Sequence, residues 1–355
     1  MLMEYQGRSI ILLLIFIGIS VFILPERSKD RDVGSPNEAV FSFPPTNLKA
    51  SEEARELLYL LYSIKGRYTL SGQHNYLEEP EAYTNKVKKE IGQTPALHGY
   101  ELGAIQGQSG EELHKLRQKV IESAIRTHQE GGIVSITYHE SLPGECNCWE
   151  HVNNGGISEE KFKEIITPGT NLHKELLVDL DEVAVYLKKL KNANVPVLWR
   201  PYHEMNGEWF WWGGQAEFAQ LWEIMYERLT KVHELNNILW VWSAGSPNAY
   251  APAFEPYYVG PLRADVLAVD VYHNDYRQSY HDQLWVLSGG KPIAIGENGE
   301  LPDSQILNVD QKQYVYFMTW AKELERNELL HVKEIYESDK VLTIEKLNEM
   351  ELVNY

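Results

Sequence analysis

Eight apolar, strand-like segments recur along this chain with helical patterns between them, and that alternation restricts the fold more than any other feature. They cover residues 68–73, 96–101, 133–139, 197–204, 238–245, 266–273, 293–297 and 314–320. Between the third and fourth, Leu176, Leu180, Val183, Leu187 and Leu190 fall at spacings of four, three, four and three, one apolar stripe of a helix. Phe218, Leu221, Trp222, Met225, Leu229 and Val232 form a second stripe, between the fourth and fifth. Near-continuous apolar strands separated by amphipathic helices indicate a parallel sheet covered by helices. Eight units fit a closed (β/α)8 barrel better than an open sheet, and the 355 residues are enough for one. Such a barrel carries its working residues at the C-terminal ends of its strands. His139, Glu204, Tyr272 and Glu297 all stand at predicted strand ends.

Three divisions are expected. Residues 1–24 read as a signal peptide or membrane anchor, 25–49 as a linker rich in Pro, Ser and charge, and 50–355 as the barrel. The apolar run 10–24 follows Arg8 and has the length of a secretory h-region. It is shorter than the roughly 20 apolar residues a membrane span needs. No small-x-small cleavage site follows at Leu24, Pro25 and Glu26, so an uncleaved anchor is the alternative. The expected location is secreted or extracytoplasmic, with membrane contact only through this leader. A net charge of −18 with no basic stripe argues against nucleic acid and anionic membrane surfaces as partners.

The densest chemistry lies in residues 195–214, VPVLWRPYHEMNGEWFWWGG. Val195, Val197, Leu198 and Trp199 form a short buried strand, Arg200 to Glu204 stand at its end, and Asn206 and Gly207 turn the chain. Trp209, Phe210, Trp211 and Trp212 follow. Neither a helix nor a strand buries four successive side chains on one face, so this block reads as a surface on which sugar rings stack. A second segment, KPIAIGENG from Lys291, is again an apolar strand ending in a carboxylate, Glu297. Arg200 is placed to orient a carboxylate in the barrel mouth or to form a structural ion pair. Trp240 and Trp242 share one strand face and read as core or barrel lining. HEMNG is not the zinc motif HExxH, because position 207 is Gly.

RPYHEMNG followed by EWFWWG resembles the acid/base region of glycoside hydrolase family 26, whose best-known members are endo-β-1,4-mannanases. The Glu297 segment is similar to that family's nucleophile strand, and the likeness extends from about residue 68 to 320. The resemblance implies a retaining endo-glycosidase acting on β-1,4-mannan, glucomannan or galactomannan, with Glu204 as acid/base, Glu297 as nucleophile and no metal or cofactor. It also implies that His203 contacts the catalytic centre, that Asp270 and Tyr272 in VDVYH support and approach the nucleophile, and that His139 in ITYHE and Trp149 line the non-reducing-side subsite. Trp209 would stack on the sugar and help desolvate Glu204. Arg200 would support the site. Glu101 in GYELGAI departs from the family pattern, where Asp is expected, so no substrate contact carries over to it. Glu140, Glu208 and Glu300 are further carboxylates near the site, to be read as supporting or rim residues, and spacing alone leaves Glu300 in competition with Glu297. Two alternatives stand: a same-family enzyme of mixed-linkage β-1,3-1,4-glucan or β-1,3-xylan, and a non-catalytic polysaccharide-binding protein.

The only cysteines, Cys146 and Cys148, sit in GECNCW within the long segment 140–174 that follows the third strand. Two thiolates without a second pair make a poor zinc site, so the expectation is a loop thiol pair or a strained disulfide with no catalytic role.

Overall fold

The structure is a computed structural model and describes residues 42–350. The expected leader and most of the expected linker lie outside the described residues. Among the described residues nine strands are formed: β1 (Thr69–Leu70), β2 (Gly72–His74), β3 (Leu97–Glu101), β4 (Ile133–Tyr138), β5 (Val197–Pro201), β6 (Ile238–Gly245), β7 (Val266–Val271), β8 (Ile293–Asn298) and β9 (Val341–Leu342). Strands β2 to β8 pair in chain order, every pair parallel. Parallel neighbours require a crossover, and helices supply most of them.

The predicted eighth barrel strand, 314–320, is not regular, yet it closes the sheet. On one side Leu70 N–H donates to Val315 O at 2.8 Å and His74 N–H to Thr319 O at 2.8 Å. On the other, Val315 N–H donates to Ile293 O at 2.8 Å and Asn298 N–H to Met318 O at 2.8 Å. Bridges of Tyr316 and Thr319 to the β1–β2 segment, and of Tyr314 and Thr319 to β8, complete the ring. The first predicted strand is interrupted at Ser71. Its start, β1, leans outward to pair with β9, and Ser71 N–H donates to Leu342 O at 2.9 Å.

Two apolar clusters follow from the strand alternation. Val197, Trp199, Trp240, Trp242, Leu267, Val269 and Ile295 pack outward against the helices. Trp240 and Trp242 are therefore core, both fully buried. Leu198, Leu239, Val241, Val266, Ala268 and Ala294 fill the barrel interior near the strand starts, against Leu57, Leu58, Leu61 and Ile64 of the helix Glu52–Ile64. That helix is capped by Ser51, whose Oγ accepts from Ala54 N–H at 3.3 Å, and Glu52 and Glu53 lie in its first turn. It plugs the end of the barrel from which the strands set out.

The stripe Leu176 to Leu190 is wholly buried on the helix Asn171–Asn192. The second stripe holds through Leu229, but Val232 is exposed. After the α-helix Phe218–Glu227 the chain takes a π-turn over Arg228–Val232, and the change of period rotates Val232 off the buried face.

Truncating the plug tests its role. Leu61→Ala is expected to lower the unfolding free energy by about 2–5 kcal/mol in chemical denaturation, since the fully buried side chain leaves a cavity. A loss under about 1 kcal/mol would mean that the interior collapses around the gap.

Candidate active site

Period-two alternation along each strand turns the barrel interior from apolar to polar on approaching the C-terminal mouth. Leu198 is followed two residues on by Arg200, Val241 by Ser243 and Ala268 by Asp270, and Thr137 by His139 at the end of β4. Strand β8 breaks this rule at a bulge. Val269 pairs with Ile295 but Asp270 pairs with Glu297, so Gly296 is the extra residue. Without it, Glu297 would share the outward face of Ile295; with it, the carboxylate enters the mouth beside Asp270. Gly is required there, because a Cβ at 296 would lie 2.2 Å from Ser243 Oγ and 2.8 Å from Asp270 Oδ1.

Arg200, 2 % exposed, stands at the centre. Its Nη2 donates to Asp270 Oδ2, and its Nη1 lies 3.1 Å from Glu297 Oε2. Ser243 Oγ donates to the other oxygen of Asp270 at 2.7 Å, and Tyr272 OH donates to Glu297 Oε1. Burial and the neighbouring Glu297 charge raise the Tyr272 phenol well above its ordinary range, so it stays a donor. Arg200, Asp270 and Tyr272 thus all serve the position of Glu297.

Strand β5 ends at Pro201, three residues before the predicted end, and Tyr202 and Glu204 adopt φ of 45° and 55°. This left-handed backbone is uncommon for residues with a side chain. It is held by Glu204 N–H donating to Ser243 O at 2.8 Å and Gly207 N–H to Glu204 O at 2.9 Å. Glu204 is half-buried, and Trp209 Nε1–H donates to its Oε2 at 2.7 Å. The indole can lie across the turn only because residue 207 is Gly; a Cβ there would meet its ring at 2.2 Å. Desolvation raises the Glu204 pKa well above the carboxylate range, with the charges of Asp270 and Glu297 adding to it, while Arg200 and the Trp209 hydrogen bond oppose. Glu204 therefore keeps its proton to higher pH than an ordinary glutamate.

Imidazoles fill one side of the mouth. His203 and His139 meet edge to face with ring centroids 4.5 Å apart. Burial, then the Arg200 charge, depresses the pKa of His203 and of His74 far below normal, so both rings are neutral. Glu101, the departure from the family pattern, is 1 % exposed and grips His139: His139 Nδ1 bonds its Oε2 at 2.6 Å and His139 N–H donates to its Oε1 at 3.1 Å. Trp149 is 40 % exposed, its ring centroid 5.8 Å from that of His139.

One expectation fails in part. Of the four consecutive aromatics only Trp209 offers exposed ring surface at the site; Phe210 is buried behind His139, His203 and Trp149, and Trp211 and Trp212 are buried as well. The block is a series of turns, so successive side chains fan out instead of sharing a face. Trp211 Nε1–H reaches Glu140 O at 2.9 Å and Trp212 Nε1–H reaches His203 O at 2.8 Å, which satisfies the buried donors. Among the other carboxylates, Glu140 is buried under the Tyr202 hydroxyl at 2.5 Å, Glu208 is exposed, and Glu300 accepts from Asn274 N–H at 3.2 Å at the rim. Glu300 makes none of the Arg200 and Tyr272 contacts that hold Glu297.

Sequence reasoning missed His74 and Trp320, stacked at 3.9 Å with Trp320 partly exposed, its centroid 5.6 Å from that of His139. Trp320 closes one predicted strand and His74 directly follows another, so strand-end position was the available signal. It also missed Ser243, whose inward register on β6 could have been counted.

Comparisons with known proteins agree with this geometry. The sequence profile of the family described as Glycosyl hydrolase family 26 matches residues 46–346. A mannan endo-1,4-beta-mannosidase of Thermothelomyces thermophilus is 32 % identical over 85 % of this chain and 62 % of its own length. One of Bacillus subtilis is 28 % identical over 90 % of each. The chain spans 62 %, 54 % and 50 % of the length of three such relatives, the latter two from a Piromyces species. Among solved structures, GH26A from a Muricauda species superposes with a TM-score of 0.80 at 38 % identity, covering 87 % of this chain and all of that one. A Podospora anserina GH26-CBM35 β-(1,4)-mannanase gives 0.74 at 31 % identity, over 88 % of this chain and 71 % of that one.

Trp209→Phe removes the donor that favours ionised Glu204. Carboxyl NMR of the labelled glutamates should show Glu204 titrating at a higher pH in the variant than in the parent. An unchanged or lower value would contradict the assigned hydrogen bond.

Proposed function

The chain belongs to glycoside hydrolase family 26, and from that premise we propose that it hydrolyses β-1,4-mannosidic bonds within mannan, glucomannan or galactomannan by double displacement. The observation that carries the mechanism is the unequal treatment of two carboxyls at one barrel mouth. Glu297 is held by Arg200 and Tyr272, while Glu204 is desolvated and kept protonated. Retention needs two such groups about 5–5.5 Å apart, one to attack and one to protonate.

In the first step Glu297 attacks the anomeric carbon, and the Glu204 proton moves to the departing glycosidic oxygen. Arg200 and Tyr272 orient the attacking carboxylate. As the glycosyl-enzyme forms, the negative charge on Glu297 disappears, and with it one cause of the raised Glu204 pKa. Glu204 is then the better base for drawing a proton from water, which releases the product. Trp149, Trp209 and Trp320 offer partly exposed ring surface for sugar stacking around the mouth. Activity should fall as pH rises through the Glu204 pKa, since the acid is then lost.

Extracytoplasmic action is inferred from the apolar run 10–24 and from a polymeric substrate. The N-terminal mass of the exported protein reads whether that run is removed.

Glu204→Ala should slow polymer cleavage by roughly 10²–10⁴-fold yet still accumulate a covalent intermediate from an aryl glycoside with a good leaving group. Equal loss on both substrates would remove Glu204 from the acid/base role. Glu297→Ala should bind mannan without turning it over, and full activity would reject the nucleophile. Reducing-end release should be greatest on mannan; preference for mixed-linkage glucan or β-1,3-xylan would move the substrate within the family, and binding with no release from any would make the protein a polysaccharide binder. Proton NMR should show the β anomer as the first product, and initial α product would indicate inversion.

A further inference from the structure

The loop after β4 carries a cluster that the reaction does not use. Cys146 Sγ, Cys148 Sγ and a ring nitrogen of His151 all lie within 4.8 Å of one another. Both cysteines are free, so the strained disulfide considered from the sequence is not formed. His151 Nδ1 is 3.4 Å from Cys146 Sγ and 3.5 Å from Cys148 Sγ. A tetrahedral zinc ion with Zn–S of about 2.3 Å and Zn–N of about 2.0–2.1 Å has S···N edges of about 3.5 Å. Both separations match that edge.

Thiol hydrogen bonds alone account poorly for this arrangement. A neutral imidazole presents one acceptor lone pair, and two sulfurs converge on the same Nδ1, which also lies 3.4 Å from Cys146 O. A cation in the space between them would satisfy both sulfurs and the nitrogen together. The other ring nitrogen, Nε2, faces Glu145 Oε2 at 3.9 Å. At that distance the contact is longer than a hydrogen bond, but it sets a carboxylate on the side to which a metal-bound histidine turns its second N–H.

The donors are also held in place by the backbone. His151 N–H donates to Cys148 O at 3.0 Å, Leu142 N–H to His151 O at 2.9 Å and Glu145 N–H to Leu142 O at 3.0 Å, while Gln106 bridges Cys148 from across the loop. Cys146 is exposed, which leaves an entry path. The sequence argument against zinc counted only thiolates; the Cys-x-Cys-x-x-His spacing supplies the third ligand.

We propose that Cys146, Cys148 and His151 bind one thiophilic divalent cation, Zn2+ foremost, with solvent in the fourth position. Two thiolates and an imidazole select Zn2+ over Mg2+ and Ca2+, which prefer oxygen ligands. Binding displaces the two thiol protons to solvent, so affinity falls as pH falls. A bound ion would clip the loop that presents Trp149, the next residue after Cys148, to the His139 side of the mouth.

The test uses the full chain, reduced and freed of metal, and does not depend on glycosidase activity. Added Co2+ should produce a thiolate-to-metal charge-transfer band saturating at one ion per chain, which one equivalent of Zn2+ abolishes. The band should be lost in Cys148→Ser and should form only at much higher Co2+ in His151→Ala, while both variants keep the metal-free melting curve of the parent. Glu145→Gln should bind Zn2+ about 10-fold more weakly. No band with the reduced parent, or a band of unchanged affinity in His151→Ala, would overturn the proposal. Should His151→Ala fail to fold, His151→Asn gives the same reading.

Discussion

A single buried guanidinium organises this molecule's chemistry. Arg200 lies below the barrel mouth with Asp270 on one amino group and Glu297 on the other. With His203 and His74 held neutral around it, one positive charge faces three carboxyls. Asp270 and Glu297 touch it directly, whereas the Glu204 carboxyl is held by the Trp209 indole. The Glu204 pKa is raised first by desolvation and then by the charges of Asp270 and Glu297. The two glutamates thus differ through their surroundings, one held by the arginine and the other desolvated beside an indole.

The placement depends on the barrel. Its apolar floor, sealed by the helix Glu52–Ile64, keeps the strand starts dry, so charged residues fit inside only near the other end. Two local departures then aim the reacting groups. The bulge at Gly296 turns Glu297 inward, and the left-handed backbone of Tyr202 and Glu204 carries Glu204 back over the mouth to meet Trp209. Both are costly local conformations sustained by surrounding hydrogen bonds, as is common where function overrides regularity.

How much of this the chain disclosed depends on the period involved. The barrel was legible because alternating strands and helices repeat over hundreds of residues; Glu204 and Glu297 stood out because each closes a predicted apolar strand within a specific motif, although β5 itself stops at Pro201. The four aromatics were misread since the rule applied to them holds for helices and strands, and a run of turns obeys neither. Glu101 could not be placed from sequence: its grip on His139 joins strands β3 and β4 across thirty-eight residues. The same limit hid Trp320, whose strand is too irregular to show a period, and the π-turn that exposes Val232. Local pattern reveals elements; contacts between elements need coordinates.

On this mechanism Glu297 alone among the mouth's carboxylates attacks the sugar. An activated 2-deoxy-2-fluoro mannoside slows release of the glycosyl-enzyme, and the trapped protein can be digested and its peptides weighed. One label per chain is expected, on the peptide containing Glu297 and on that side chain when fragmented. A label on Glu300 or Glu204, or time-dependent turnover of the reagent with no labelled protein at any stage, would contradict it.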